Sequence, residues 1–266
     1  MQRYMGIVMI KVSSTSNEKY KHIKSLLNKK SRETHHEYTV EGIKSVRDAI
    51  SAEQNITFIV VSDKFYEEIK FNYPSDTQLI VISDNIFAPL CDTKTPQGIL
   101  AVIKMPEIAD YVPKKDGKYI YCDDVRDPGN IGTIIRTAEA AGFDAVMLSP
   151  DCVDIYSPKV VRASMGSYFN IKIVPDIGYT KLEEYKNAGM NLLAGALSNN
   201  SKDYAEADYS SPCMIVVGNE ANGVSDDVLR LCNCVKIPIY GQAESLNVSV
   251  AAGILIYELI KNEKNN

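Results

Sequence analysis

Apolar and polar positions alternate with two different periods along the chain, and this alternation predicts helices and strands in turn. In the first hundred residues, helical periodicity predicts helices over 18–27 and 41–52. Short apolar runs that are rich in β-branched residues predict strands. These runs are EYTV (37–40), TFIVVS (57–62), QLIVIS (78–83) and QGILAVIK (97–104). The first part of the chain is therefore predicted to be an α/β domain.

The same alternation starts again after residue 117. The predicted strands are KYIYCDDV (118–125), AVMLS (145–149), FNIKIV (169–174), NLLAGAL (191–197), CMIVVGN (213–219) and VKIPIY (235–240). The predicted helices cover 131–141, 157–165, 181–188, 226–231 and 248–261. Strands that alternate with helices predict a parallel sheet covered on both faces. Such sheets place their ligand loops at the carboxyl ends of the strands.

The segment between the two parts, MPEIADYVPKKDGK (105–118), contains two prolines, a glycine and charges of both signs. This composition is typical of a linker. A chain of 266 residues is long enough to bury a separate core on each side of it. We therefore expect two domains, over 1–104 and 118–266, joined by a linker over 105–117.

The composition is that of a globular protein, with 45% hydrophobic and 24% charged residues and a formal net charge of −5. This acidic balance argues mildly against nucleic-acid binding, but the distribution of charge matters more than the sum. The first 36 residues carry eight lysines and arginines against two glutamates. The basic segment is either a solvated helix face or a nucleic-acid surface. Its candidate phosphate contacts are Lys24, Lys29, Lys30 and Arg32.

The six cysteines form no C-x-x-C pair, and with three histidines they show no zinc-site spacing. We expect no metal site. Cys122 and Cys213 lie within predicted strands, which indicates buried, reduced thiols and a cytoplasmic protein. The apolar run Met5–Ile10 is too short for a signal-peptide core or a membrane span.

The first of three polar loops follows the first predicted strand of the second domain and reads DDVRDPGNIGTIIRTAEAAGF (123–143). A helix with a continuous apolar stripe lies within it, and Gly142 ends that helix. Asn130 at the helix start suits a helix cap, and Arg136 suits a solvated side chain paired with Glu139 at i+3. Both residues are also candidates for a site, because the loop follows the end of a strand.

The second loop lies in IVVGNEANGVS (215–225), where a strand runs into Gly218-Asn-Glu220. The loop is not a P-loop, since the G-K-[ST] ending is missing, and neither it nor the earlier GNIG matches the dinucleotide fingerprint. One interpretation is a plain strand-to-helix turn capped by Ser225. The other is a site, because glycine allows a ligand to approach the backbone closely.

The third loop lies in IPIYGQAESLNVSVAAGIL (237–255), between an apolar strand-like run and a helix. The helix has one apolar stripe, which contains Val248, Ala251, Ala252, Leu255 and Leu259. Ser245 and Asn247 immediately before it suit a helix cap. They also suit a binding loop, and the two roles are compatible.

In this order and spacing, the loops resemble the three motifs of the SpoU (TrmH-type) family of RNA ribose 2'-O-methyltransferases, within the SPOUT superfamily. The matching residues are Asn130-x-Gly132 with Arg136, Gly218-Asn-Glu220 with Gly223, and Ile237-Pro238, Gly241 and Ser245-Leu-Asn247. SPKVVRASMGSYFNIKI (157–173) is similar to the R-x-S-x-G segment of the family. Residues 13–50 resemble the L30e-like substrate-binding domain of its larger members.

The resemblance implies an L30e-like α/β/α domain, followed by a SPOUT parallel-sheet domain with a trefoil knot near its carboxyl end. It also implies a homodimer, an RNA substrate and S-adenosylmethionine as cofactor. The knot loops bind the cofactor in the family. Carried onto this chain, the cofactor-binding residues are Ala196, Leu197, Gly218, Asn219, Glu220, Ile237, Pro238, Ser245, Leu246 and Asn247.

The implied reaction moves a methyl group from a sulfonium to a ribose 2'-hydroxyl, which must lose its proton. The family points to Arg136 as the residue that assists. Because arginine stays protonated in proteins, we interpret Arg136 as a clamp for a substrate phosphate and a stabiliser of the developing alkoxide. Asn130, Ser245 and Asn247 would orient the nucleotide, and Glu220 would accept a hydrogen bond.

Three alternatives stay open at this point. Larger members with this amino-terminal domain act on ribosomal RNA more often than on transfer RNA, so the transfer-RNA version is the nearest alternative. A non-catalytic RNA-binding protein is the second, although the intact motif residues argue against decay. A nucleotide-dependent oxidoreductase is the third, and the missing glycine fingerprint argues against it.

Overall fold

The computed structural model describes residues 9–74, 77–107, 110–197 and 201–263. These residues form two compact units. The first comprises the described residues of Met1–Glu107 together with Tyr156–Phe169, and the second those of Ile108–Ile155 together with Asn170–Asn266. Within the described ranges, no helix is long and apolar enough to cross a membrane.

The first unit is built on a five-stranded mixed sheet. Its elements are β1 (Met9–Val12), α1 (Glu18–Ser25), α2 (Lys29–His35), β2 (Glu37–Glu41), α3 (Ile43–Ser51), β3 (Ile56–Ser62), α4 (Asp63–Glu68), β4 (Gln78–Ile82), α5 (Asp84–Phe87) and β5 (Ile99–Lys104). The strand order is β1-β4-β3-β5-β2. The first three strands in that order run parallel, whereas β5 runs antiparallel to both of its neighbours.

Asparagine side chains begin helices α1 and α2. Asn17 accepts a hydrogen bond from the Lys19 amide at 2.9 Å, and Asn28 accepts one from the Lys30 amide at 2.9 Å. Both therefore satisfy amides that a helix leaves open at its start. Helix α2 was not predicted, because its sequence KKSRETH has no apolar stripe to signal it.

The second unit holds a seven-stranded sheet. Its elements are β6 (Lys118–Cys122), α6 (Pro128–Ala140), β7 (Ala145–Leu148), β8 (Lys172–Val174), α8 (Tyr179–Asn187), β9 (Asn191–Gly195), β10 (Lys202–Asp203), β11 (Cys213–Val217), α9 (Asp226–Leu229), β12 (Asn233–Lys236) and α10 (Val248–Glu263). Helix α7 (Pro158–Ala163), which lies between β7 and β8 in sequence, belongs to the first unit.

Every strand pair in this second sheet is parallel, in the order β10-β12-β9-β11-β6-β7-β8. All five residues of β11 and all four of β7 are buried, as expected for strands covered on both faces. The predicted two-domain α/β fold with a parallel second sheet is confirmed. The knot, a statement about chain threading, stays a prediction, as do the functional domain boundaries.

One predicted strand is wrong in its position. The run VKIPIY (235–240) was predicted to be a strand, but β12 spans Asn233–Lys236 and ends before Ile237. Pro238 explains the difference, since proline cannot donate a hydrogen bond to a sheet ladder. The residues after Lys236 are thereby left in a loop rather than in the sheet.

Candidate functional site

A cavity of ≈ 520 Å³ lies in the second unit. Its lining residues come from the carboxyl ends of β9, β11 and β12, which are adjacent in the sheet, and from the start of α10. This is the edge at which parallel sheets place their ligands. The sequence-predicted cofactor residues in its lining are Ala196, Leu197, Gly218, Asn219, Glu220, Ile237, Ser245, Leu246 and Asn247. Pro238, the remaining one, does not line it.

The cavity walls are mostly apolar, and sequence reasoning missed much of them. The additional lining residues are Gly195, Val217, Ala221, Asn222, Gly223, Val224, Leu229, Val235, Lys236, Ile239, Val248 and Ala251. Val217 and Val235 are the carboxyl-terminal parts of buried strands, so a rule that extends each motif back into its strand would have found them. Apolar walls with a few placed polar groups suit a small organic molecule.

The loop after β11 is held in a tight turn by its own backbone. Asn219 and Gly223 each donate their amide to the other's carbonyl, both at 2.9 Å. Gly223 has φ +71°, a left-handed value that favours glycine. A Cβ on Gly218 would overlap the backbone of Gly223 and Val224. The two glycines of this motif are therefore required by the turn itself, before any ligand is considered.

The same loop is fastened to the end of β6. The Asp123 carboxylate, which is buried, accepts a hydrogen bond from the Ser225 amide at 2.7 Å. The Asn219 side chain donates to the Asp124 carbonyl at 2.9 Å. Ser225 precedes α9, but its side chain makes no capping hydrogen bond. The positions of Asp123 and Asp124 were not predicted as functional, although both lie in the first loop.

Asn130 does not cap α6, so that interpretation is wrong. The helix begins at Pro128, and Asp127 is the cap, accepting from the Asn130 amide at 2.8 Å. Proline suits the first turn of a helix, because an N–H at that position would have no hydrogen-bond partner within the helix. The Asn130 side chain is free of capping and instead donates to a Glu220 carboxylate oxygen at 2.9 Å.

Asn247 performs two roles at once. Its side-chain oxygen accepts from the Ser249 amide at 2.9 Å and from the Ser249 hydroxyl at 2.6 Å, so it begins α10. Its side-chain nitrogen donates to the Asn130 side-chain oxygen at 3.0 Å. Asn247, Asn130 and Glu220 thus form a continuous chain of hydrogen bonds, called here the polar chain. It joins one residue from each of the three predicted motifs.

Arg136 is exposed and does not line the cavity. It follows Asn130 by six residues on α6, which is about 9 Å along a helix axis. The stripe predicted for this helix is confirmed, since Ile131, Ile134 and Ile135 are buried. Within one chain, Arg136, the proposed phosphate clamp, therefore lies outside the cavity.

Cys122, Cys152 and Cys232 of the second unit carry thiols whose pKa is raised. Burial raises the pKa of Cys122 well above its usual value and that of Cys232 to about 12. Burial also raises the pKa of Cys152. The prediction of buried, free thiols at Cys122 and Cys213 is confirmed. Burial therefore favours the thiol over the thiolate at these three cysteines.

The predicted basic surface belongs to the first unit and divides into two kinds of residue. Lys24, Lys29 and Lys30 are exposed. Arg32 is buried, with 4% of its surface exposed, and its guanidinium donates to the Leu26 carbonyl at 2.7 Å. Arg32 therefore satisfies the open carbonyl end of α1, a structural role that the sequence did not suggest.

Among the residues that the structure describes, no group of three or more His, Cys, Asp and Glu side chains could hold a metal ion. The polar groups of the cavity lining are instead side-chain amides, the Ser245 hydroxyl, the Glu220 carboxylate, the Lys236 ammonium and backbone groups of glycine-containing turns. This set suits hydrogen bonding to an organic cofactor.

Comparison with known proteins places both halves of the chain. The sequence model of the SpoU rRNA Methylase family matches residues 117–257. The model of the MRM3-like substrate binding domain matches residues 17–101. The first match covers all three motif loops, and the second covers most of the predicted L30e-like domain.

Relatives and solved structures agree with these matches. The 23S rRNA (guanosine(2553)-2'-O)-methyltransferase RlmP of Bacillus subtilis is 36% identical over 94% of this chain and 99% of its own length. An AdoMet-bound rRNA methyltransferase from Sinorhizobium meliloti is 30% identical, with a TM-score of 0.84 over 96% of this chain and 98% of that one. AviRb from Streptomyces viridochromogenes, solved with AdoMet, is 25% identical, with a TM-score of 0.82 over 94% and 99%. On the family match and these likenesses, the chain belongs to the SpoU rRNA methylase family.

Proposed function

We propose that this protein transfers a methyl group from S-adenosylmethionine to a ribose 2'-hydroxyl of large-subunit ribosomal RNA. The observation that carries the proposal is the cavity at the strand ends, with the polar chain beside it. The substrate class is supported by RlmP, which is named for 23S rRNA and matches nearly the whole chain. A second relative is named as a 23S rRNA (uridine(2479)-2'-O)-methyltransferase.

The cavity fits the cofactor in size and chemistry. Small-molecule sites have volumes of roughly 300–1,000 Å³ and mainly apolar linings. Ile237, Leu246 and Val248 offer apolar surface for an adenine ring. Gly218 and Gly223 both line the cavity, and a glycine carries no side chain that could cover its own backbone groups.

When bound, the cofactor supplies an electrophilic methyl group on a sulfonium, and the protein's residues supply alignment. We propose that the polar chain orients the target ribose. Glu220 accepts from Asn130, and Asn130 accepts from Asn247, so each amide is held in one orientation. Ser245 lies in the cavity lining and would donate to or accept from the nucleotide.

Arg136 is proposed to hold a substrate phosphate and to stabilise the charge that develops on the 2'-oxygen. Its guanidinium stays protonated, so the 2'-hydroxyl proton would pass to solvent water as the methyl group bonds to the 2'-oxygen and S-adenosylhomocysteine leaves. Because Arg136 is exposed and lies outside the cavity lining, a homodimer in which a second copy completes the site would explain its position. The homodimer, the knot and a cytoplasmic location stay predictions.

Lys24, Lys29 and Lys30 are proposed as phosphate contacts of the substrate-binding unit. All three are exposed, and contacts of this kind position RNA without reading its sequence. Arg32 is not part of the proposed surface, because it is buried against the Leu26 carbonyl. Replacing the three lysines by glutamine should reduce the salt dependence of RNA affinity.

The first experiment is S-adenosylmethionine binding by calorimetry, with the wild type and Leu246→Arg. Leu246 lines the cavity, and an arginine there would fill it with a charged side chain. Val112→Arg is the matched control, since Val112 is 81% exposed and does not line the cavity. We expect binding by the wild type and the control but not by Leu246→Arg.

If the wild type binds the cofactor, 2'-O-methyl groups should be mapped in ribosomal RNA with and without the enzyme. Methylation of transfer RNA alone would support the nearest alternative. Absence of cofactor binding even with added ribosomal RNA would contradict the proposed methyltransferase activity and favour a non-catalytic RNA-binding protein.

A further inference from the structure

One segment of the chain belongs to the methylase domain by sequence but packs in the first unit of the structure. Residues Tyr156–Phe169, called here the bridging segment, lie in sequence between β7 and β8 of the second sheet. The SpoU methylase match covers them. In the structure they pack as part of the first unit. The chain therefore leaves the catalytic sheet, contributes to the substrate-binding unit and returns.

Aromatic packing anchors the bridging segment on β2. The Tyr38 ring is 1% exposed, and its centroid lies 5.2 Å from that of Tyr156 and 6.0 Å from that of Tyr168. Val160 and Val161 of α7 are buried as well. Aromatic pairs at these separations add to the gain from burial. The substrate-binding unit thus has part of its core supplied by the methylase sequence.

Polar contacts hold the segment in one position. The Arg162 guanidinium lies 3.1 Å from the Asp92 carboxylate, and the Asp92 backbone amide donates to Glu41 at the end of β2. Gly166 has φ +88°, and a Cβ there would overlap the Asp48 carboxylate. The arginine, serine and glycine of the R-x-S-x-G segment thus lie at this packing surface, with Ser164 fully buried.

We propose that the bridging segment attaches the substrate-binding unit to the catalytic sheet, and that Tyr156 and Arg162 are positioning residues for RNA methylation. Without its packing on β2, the units would be joined only through the chain after Glu107. RNA that binds would then have to order the loosely joined units, and this ordering cost would weaken RNA binding and raise KM. The inference rests on the proposed function for its consequence, but not for the attachment itself.

The attachment is tested first without any activity. A specific protease site is inserted between Glu107 and Ile108 of the full chain, and the cut protein is examined by size-exclusion chromatography. We expect the two fragments to elute together. Tyr156→Ala should weaken their association about 100-fold, whereas Tyr156→Phe, which keeps the ring, should not. Separation of the wild-type fragments after the cut would overturn the proposal.

The consequence is tested on the uncut chain with ribosomal RNA. Tyr156→Ala should lower kcat/KM for RNA about tenfold, mainly through KM, while the Kd for S-adenosylmethionine changes less than about twofold. Tyr179→Ala, an exposed tyrosine of the second unit, is the control and should behave as wild type. An equal fall in cofactor affinity would mean general unfolding and would overturn the positioning role.

Exchanging the charges of Arg162 and Asp92 gives a second test, which does not depend on the folding of Tyr156→Ala. Arg162→Asp and Asp92→Arg should each raise KM for RNA about twofold to threefold, since the pair is partly exposed, and the double variant should restore it. Single variants with wild-type KM would remove Arg162 from the proposal. If the cut wild type stays associated but no chain methylates RNA, the proposed function fails and the attachment stands.

Discussion

Strands β3 and β12, one from each sheet, differ in the length of chain between their carboxyl end and the next helix. In the first unit, β3 ends at Ser62, and α4 begins at the next residue with the Ser62 hydroxyl accepting from the Phe65 amide. In the second unit, β12 ends at Lys236 and α10 begins only at Val248. Where a helix starts directly after a strand, as α4 does after β3, no loop is left between them to line a cavity. A delayed helix leaves a loop that can line a cavity.

A glycine of the first unit and one of the second unit also differ in their structural roles. In the first, Gly98 has φ +81° and approaches the Ser62 hydroxyl and Phe65, so it serves packing. In the second, Gly218 lies against the backbone of its own loop beside the cavity. Equivalent changes in the two units should therefore affect different measurements.

The largest effect is expected for Gly218→Ala. The added Cβ would overlap backbone atoms that cannot move without opening the turn between Asn219 and Gly223. S-adenosylmethionine affinity should fall by about 100-fold or more, because the turn forms one wall of the cavity. Calorimetry measures this fall. Gly98→Ala should lower the melting temperature and leave the cofactor Kd of the folded protein unchanged, and the opposite pattern would break the comparison.

A smaller effect on binding and a large one on rate are expected for Asn130→Ala. The change removes the middle of the polar chain and leaves Glu220 and Asn247 without their shared partner. We expect kcat to fall about 100-fold while the cofactor Kd changes less than about threefold. Single-turnover methylation of ribosomal RNA measures the rate. A wild-type kcat would remove the polar chain from the mechanism.

Ser62→Ala should affect stability alone. Loss of the cap on α4 should cost about 1 kcal/mol in the free energy of unfolding. Thermal or urea denaturation measures this loss. Methylation rate and cofactor affinity should match the wild type at temperatures where the variant is folded. A specific loss of cofactor binding would show that the first unit's strand ends contribute to the site.

The smallest effect concerns the thiols. The pKa of Cys232 is raised from 9.0 to about 12 by burial, so its stabilising contribution is complete below pH 9 and is lost as pH rises from there towards 12. At pH 8, alkylation of Cys232 should be slower than that of a free cysteine, because less thiolate is present. Mass spectrometry of the alkylated protein measures the rate. Rapid labelling of Cys232 in the folded protein would contradict its burial.

Much of the fold could be predicted from local patterns. The runs TFIVVS, QLIVIS and CMIVVGN all became strands, because continuous apolar β-branched sequence is what a strand covered on both faces requires. Helix α2 could not be predicted, since the residue that it buries is the polar Arg32 and its sequence has no apolar stripe. The end of β12 was misplaced because the apolar residues after Lys236 line a cavity instead of a core.

The sequence by itself determined most of the strands and helices and the three loops that hold the motif residues, because burial imposes a period that neighbouring residues share. Only the tertiary structure decided that Asn130, Glu220 and Asn247 form one chain of hydrogen bonds, although 90 and 117 residues separate the bonded pairs. It also decided that Arg32 is buried and that the bridging segment packs on β2. Contacts of this kind depend on the order of strands in a sheet, and that order leaves no local period in the sequence.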